Sequence, residues 1–314
     1  MTRVRAGAAA TAITLLTASM AAQSFKSGVD VVRVDALVTE GDRPLVNLRP
    51  EDFELRDNGV RQTLAFASIE SLPLSLVFVL DTSGSVAGSK MHHLASAVDV
   101  IVRALRKDDR AGLVTFSHRV WERVPVGPDF AALQAVVRGA DASGATSLYD
   151  AVYAGLALST EKNARPLVIV FSDGLDNASW LTSAAVEGAA RRSGAVVYGV
   201  AVAARMRMDP TGLDPILLNP GQRNATIGFK GRPDYLPGQT AFLDAIASIT
   251  GGRVLRADTT ENLPRTFDEV LREFRTRYVL SYSPRGVDTP GWHTIEVRVR
   301  NRRAEVKARS GYQR

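Results

Sequence analysis

Cysteine is absent from the 314-residue chain, so neither disulfides nor thiol chemistry contribute to its fold or function. Secreted chains below ~80 residues often need disulfide staples, but about 290 residues can bury a core without them. Beyond the first ~22 residues no apolar run reaches the ~20 residues that a membrane-spanning helix needs. No Gly-Lys-Ser/Thr stands at P-loop spacing, which removes the common nucleotide-binding cradle. No serine has the Gly-x-Ser-x-Gly setting of a hydrolase nucleophile. Histidine is scarce, at four residues, and none has a setting that suggests a ligand or a base; His92 and His93 fall off the apolar stripe of their helix and read as solvated.

What is present begins with Arg3 and Arg5, an uncharged Ala/Leu/Ile/Thr stretch from Ala6 to Ala18, and small residues from Ser19 to Ala22. Basic start, short apolar middle and small-residue end are the layout of a secretory signal. Residues 1–22 are therefore expected to be removed, which places the protein in the periplasm or outside the cell; the alternative is a retained anchor. The formal charge of +6 is uneven, because residues 253–314 hold 14 Lys/Arg against 8 Asp/Glu. Export argues against nucleic acid as the partner of this basic end. The plain expectation is a solvated strand and helix face; anionic envelope polymers or lipids are partners that it would suit.

The chain is organised around Leu74 to Ser85, LSLVFVLDTSGS. Seven almost wholly apolar residues, Leu74 to Leu80, read as a strand buried on both faces of a parallel sheet. Asp81-Thr82-Ser83-Gly84-Ser85 follows, at the carboxyl edge where open α/β sheets place ligands. Asp81, Ser83 and Ser85 are two apart, so their oxygens can converge on one point. One carboxylate and two hydroxyls form a hard, oxygen-only donor set that suits Mg²⁺ or Mn²⁺.

Two further polar clusters match this one. Asp141 to Ser147 precedes an apolar-faced helix from Leu148 to Leu158, where Thr146 or Ser147 would serve as an ordinary N-cap. Pro166 to Phe171 is another apolar strand, ending in Ser172-Asp173-Gly174. Alone, Asp173 would be a turn residue. Two buried strands that each end in an aspartate, with a Gly-containing loop between them, point to one assembled site.

The set Asp81-x-Ser83-x-Ser85, Thr146 and Asp173 resembles the metal-ion-dependent adhesion site (MIDAS) of von Willebrand factor type A (VWFA) domains, with all five positions present in order. The stretches GATSLYDA and VFSDGLDN are similar to that family's loops. The resemblance covers about residues 72–258, and the flanking strands resemble a bacterial exported VWFA-related subgroup. It implies a divalent cation, Mg²⁺ or in its place Mn²⁺ or Ca²⁺, held directly by Ser83, Ser85 and Thr146 and through water by Asp81 and Asp173. It also implies a protein partner that supplies an Asp or Glu carboxylate to the ion, in adhesion or in an envelope-associated complex, without catalysis.

The expected architecture is α/β: a doubly wound, mostly parallel sheet with helices on both faces over residues 72–276, interrupted by a Pro- and Gly-rich insertion at 204–238. The strand-patterned flanks, 23–71 and 277–314, are expected to pair as one small β-sandwich. A strong turn at Asp57-Asn58-Gly59 predicts a hairpin between Phe53–Leu55 and Gln62–Phe66. Two other functions compete. A strand followed by Asp-x-x-Gly is similar to haloacid-dehalogenase phosphatases, but their second, acid/base aspartate is replaced here by Ser83, which cannot do that work. The other is a structural envelope protein with a vestigial site.

Overall fold

The computed structural model describes residues 31–41, 43–69, 72–159, 163–173, 175–202 and 240–314; the expected signal at 1–22 and the insertion at 204–238 lie outside them. In chain order the first strands are β1 (Val32–Glu40), β2 (Arg43–Pro44), β3 (Phe53–Asp57), β4 (Val60–Gln62) and β5 (Leu64–Ser68). The middle runs β6 (Leu74–Asp81), α1 (Ser89–Ala104), β7 (Arg110–Phe116), β8 (Val120–Gly127), α2 (Phe130–Arg138), α3 (Leu148–Leu158), β9 (Arg165–Ser172), α4 (Ser183–Arg192), β10 (Val196–Val202), α5 (Ala241–Thr250), β11 (Val254–Ala257) and α6 (Leu263–Arg275). The chain closes with β12 (Tyr278–Tyr282), β13 (Trp292–Val299), β14 (Glu305–Ala308) and β15 (Gly311–Gln313).

Six strands form one sheet in the order β11-β10-β9-β6-β7-β8. Every pairing is parallel except that of β8 with β7. All eight residues of β6 are buried, because both faces of the sheet are covered. Leu76, Phe78 and Leu80 pack with Leu94, Val98 and Ile101 of α1 and with Phe267 and Phe274 of α6. Val77 and Val79 point the other way, into Val152 and Leu156 of α3, Val186 of α4 and Ile246 of α5. Each such fully buried side chain contributes about 1.5–3 kcal/mol. The two apolar layers therefore fix β6 and β9 rigidly beneath whatever their ends carry.

The flanks of the chain pair with each other. A five-stranded sheet has the order β14-β1-β12-β5 with β2 on β1, and a four-stranded sheet the order β15-β13-β3-β4. Val34 and Ala36 of β1, Phe53 and Leu55 of β3, Leu280 of β12 and Ile295 of β13 share one apolar cluster. Asn58 and Gly59, both at positive φ, make the expected tight turn between β3 and β4. The hairpin partner is only Val60–Gln62, however; Leu64–Ser68 leaves it and joins β12 in the other sheet. Short-range turn chemistry fixed the turn but not which sheet the following strand would serve.

Arg277 is the exception within the basic end, the one Lys/Arg of residues 253–314 that is buried. It is completely buried, and one of its guanidinium nitrogens donates to the carbonyls of Gly251 at 2.6 Å and of Asp35 and Lys307 at 3.0 Å. Its other terminal nitrogen donates to the Tyr198 hydroxyl at 3.3 Å, which itself donates to Glu273 at 2.7 Å. A single side chain thereby ties β1 and β14 to β10, α6 and the end of α5. Arg165 at the start of β9 repeats the device, pairing with Asp35 of β1 and lying 4.6 Å over the Phe274 ring. His93 departs from expectation as well: its Nδ1 is hydrogen-bonded to the Thr260 hydroxyl at 2.8 Å, while its neighbour His92 is exposed.

Candidate metal centre

The site follows from the order of the strands. After β6 the chain builds β7 and β8 on one side of it, then returns to lay β9, β10 and β11 on the other. The strand order thus reverses between β6 and β9, and the loops leaving those two strands part in opposite directions to leave a crevice. Because β6 and β9 are parallel and in register, Leu80 beside Phe171, their terminal residues emerge together. Asp81 stands at the end of one strand, and Ser172 and Asp173 at the end of the other.

Hydrogen bonds join four of the five expected residues. Asp81 Oδ1 accepts from the Ser83 amide at 2.8 Å, and Asp81 Oδ2 from the Ser172 hydroxyl at 2.7 Å. The Ser83 and Ser85 hydroxyls lie 3.0 Å apart, and Ser85 donates to Asp173 Oδ1 at 2.6 Å. Asp81, Ser83 and Asp173 are buried, and Ser85 is at the exposed rim. Thr146 reaches this edge by another route. The Ser143 amide donates to Thr82 O at 2.8 Å, and the Gly84 amide to Gly144 O at 3.0 Å, which stitches the 141–147 loop to the Asp81–Ser85 turn. Gly144 has φ +85, and a Cβ there would stand 2.6 Å from His118 Nδ1, so both backbone angle and space favour glycine. Ser147 occupies the N-cap position of α3 but its side chain makes no capping bond.

Several residues of the site were not anticipated from sequence. Asn177 clasps Thr146 from both sides, its side chain accepting from the Thr146 amide at 2.8 Å and its own amide donating to Thr146 O at 3.0 Å. Asp150 accepts from the amides of Trp180 and Leu181, both at 2.9 Å, and so holds the loop after β9 against α3. Ser172 supports Asp81, and Lys90 forms an ion pair with Asp173. Each of these contacts joins residues thirty or more apart in sequence.

The electrostatics favour a cation. Burial, with the like charge of Asp173 adding to it, holds the Asp81 carboxyl above the usual range, against the opposing hydrogen bonds of Ser83 and Ser172. A buried pair of carboxylates is stabilised by a proton or a positive ion. The donors are all oxygen, and hydroxyls and carboxylates are what hard divalent ions take. No group of three or more His, Cys, Asp and Glu suited to a metal occurs among the described residues, so a centre of the His/carboxylate kind is not what this edge offers. Beside it, Tyr149, Leu175 and Phe242 line a cavity of about 300 Å³, and Trp180 in the same loop is 95% exposed.

Comparison with known proteins gives the class. Residues 76–175 match the family model of the von Willebrand factor type A domain, and all five candidate residues lie inside the matched span. The inter-alpha-trypsin inhibitor heavy chain H2 of Sus scrofa is 29% identical over 120 residues, covering 34% of this chain and 13% of that protein. The match thus spans a small part of the curated relatives' length. Among solved structures, a von Willebrand factor type A protein from Catenulispora acidiphila is 11% identical, with a TM-score of 0.49 over 91% of this chain and 75% of that one. Proximal thread matrix protein 1 from the mussel byssus, in a structure whose MIDAS motif holds zinc, is 14% identical, with a TM-score of 0.49 over 69% of this chain and 50% of that one.

Proposed function

We propose that the protein is an exported, divalent-metal-dependent binding protein that captures a carboxylate of a partner protein and performs no reaction on it. The observation that carries this reading is the hydrogen-bonded run Ser83–Ser85–Asp173, backed by buried Asp81, at the crevice where the strand order reverses. Ser83, Ser85 and Thr146 would hold the ion, Mg²⁺ or in its place Mn²⁺ or Ca²⁺, and Asp81 and Asp173 would act largely through water. An ion held by neutral hydroxyls keeps much of its charge unquenched, so an acidic side chain from outside is its natural further ligand. Exposed Trp180 gives the partner an apolar anchor beside the ion, of the type that dominates binding energy at interfaces.

The pattern of residues 1–22 supports export to the periplasm or beyond. No described helix is long and apolar enough to cross a membrane. We further read residues 72–276 as the doubly wound VWFA-like domain with its insertion at 204–238, and the flanks 23–71 and 277–314 as one β-sandwich-like module built on it. The test is capture from an envelope extract, in Mg²⁺ and in EDTA, on immobilised wild type and on Asp173→Ala. A partner retained by wild type in Mg²⁺ and lost both in EDTA and on the variant supports the proposal. Equal retention in EDTA contradicts it.

A further inference from the structure

We infer that the Lys90 ammonium is a built-in counter-cation, which holds the metal-free site together and competes with a divalent ion for Asp173. The inference rests on the metal-binding reading given above. Lys90 Nζ donates to Asp173 Oδ2 and, at 2.8 Å, to the Ser85 carbonyl. It thus takes one oxygen of the same carboxylate whose other oxygen accepts from the Ser85 hydroxyl.

Local structure gives no reason for a lysine here. Lys90 is the second residue of α1, where the helix dipole disfavours a positive charge, and no acidic residue shares that first turn. What holds it is the Asp173 carboxylate, 1% exposed against 30% for the lysine side chain. A buried carboxylate is costly unless paired. Gly88 supplies the geometry. At φ +76 it turns the chain from Ser85 into α1 through a conformation that other residues adopt only under strain, and the next turn returns the ammonium to the Ser85 carbonyl.

The consequence is a competition. Asp81, Asp173 and Lys90 sum to one negative formal charge, which a divalent ion converts to one positive. An ion drawing on Asp173 must displace the ammonium or accept a like charge beside it, and Lys90 lowers its affinity in either case. The same positive charge strengthens the pull of the loaded site on an acidic partner. Lys90 therefore exchanges tightness for the metal against stability of the empty site and attraction for the ligand.

The experiment is calorimetric titration of Mg²⁺ and Mn²⁺ into wild type, Lys90→Met, Lys90→Gln and Asp173→Ala, with melting temperatures measured in EDTA and in Mg²⁺. Both Lys90 variants are expected to bind either ion at least about tenfold more tightly than wild type. They should also melt lower in EDTA and recover in Mg²⁺. Lys90 variants that bind no more tightly than a metal-binding wild type overturn the inference and leave the site reading standing. A wild type that binds neither ion, or an Asp173→Ala variant that binds as wild type does, removes the site reading and the inference with it.

Discussion

Replacing Arg277 by methionine should loosen the strands at the two ends of the chain from the six-stranded sheet. The side chain is wholly buried, and its loss strips a charged donor from the carbonyls of Asp35, Gly251 and Lys307. A buried acceptor left without its donor costs about 1–3 kcal/mol. Each carbonyl has a second lone pair and some freedom to relax, so the low end applies and three of them come to about 3 kcal/mol. Against this stands the relief of a buried guanidinium, which is costly to desolvate. That relief is limited because the guanidinium is already compensated by four hydrogen-bond acceptors, the three carbonyls and the Tyr198 hydroxyl, and on its loss Glu273 keeps its ion pair with Arg253. No carboxylate is orphaned, and the unpaired carbonyls decide the sign. Arg277→Met is expected to cost about 3 kcal/mol, and Arg277→Ala about 2 kcal/mol more for the cavity. Urea unfolding followed by circular dichroism reads the total, and amide exchange locates it, with protection falling first in β1 and β14 and last in β6 and β9. A methionine variant within about 1 kcal/mol of wild type, or uniform loss of protection, would refute the idea that this residue is the tie.

Other consequences are more local. Gly155 in α3 lies so close to β6 that a Cβ would meet Val79 Cγ2 at 2.5 Å and Val168 Cγ1 at 3.2 Å; Gly155→Ala should therefore destabilise by about 1–2 kcal/mol despite the gain of up to ~1 kcal/mol in helix propensity. Chemical denaturation of the purified variant measures it, and a stabilised variant would show that the sheet yields freely there. Deleting residues 277–314 removes β12 from between β1 and β5 and β13 from beside β3, so residues 32–68 should lose their slow amide exchange; protection retained there counts against the pairing. Trp180→Ala should leave stability within about 0.5 kcal/mol, as expected for an exposed side chain, while weakening capture of the partner at least about fivefold. Unchanged capture would place the partner elsewhere.

The parts of the fold legible in the sequence were those whose signal is local and strong. β6 and β9 announce themselves as almost wholly apolar runs because both of their faces are covered. The α3 helix, Leu148–Leu158, is bounded in the sequence by the same residues that bound it in space. The β15 strand was missed, since Gly311-Tyr312-Gln313 has no pattern of its own and exists only by pairing with Trp292–Thr294. The burial of Arg277 was equally hidden, because an arginine reads as surface until the carbonyls that surround it are brought from three distant segments. At the site, the spacing of Asp81, Ser83 and Ser85 carried its own meaning. Nothing in the sequence connected Lys90 to Asp173 or Ser172 to Asp81, which lie more than eighty residues apart and meet only because β6 and β9 are neighbours.

The structure anchors the Thr146 backbone through Asn177, and the ion is expected to engage its hydroxyl. Electron paramagnetic resonance of Mn²⁺ titrated into wild type, Ser83→Ala, Thr146→Ala and Asp173→Ala counts bound ions and is independent of any partner. One tight ion in wild type, with affinity lowered at least about tenfold by each substitution, is the expected outcome. Mn²⁺ bound equally by wild type and Thr146→Ala, or by none of the four proteins, would contradict a metal centre assembled from these loops.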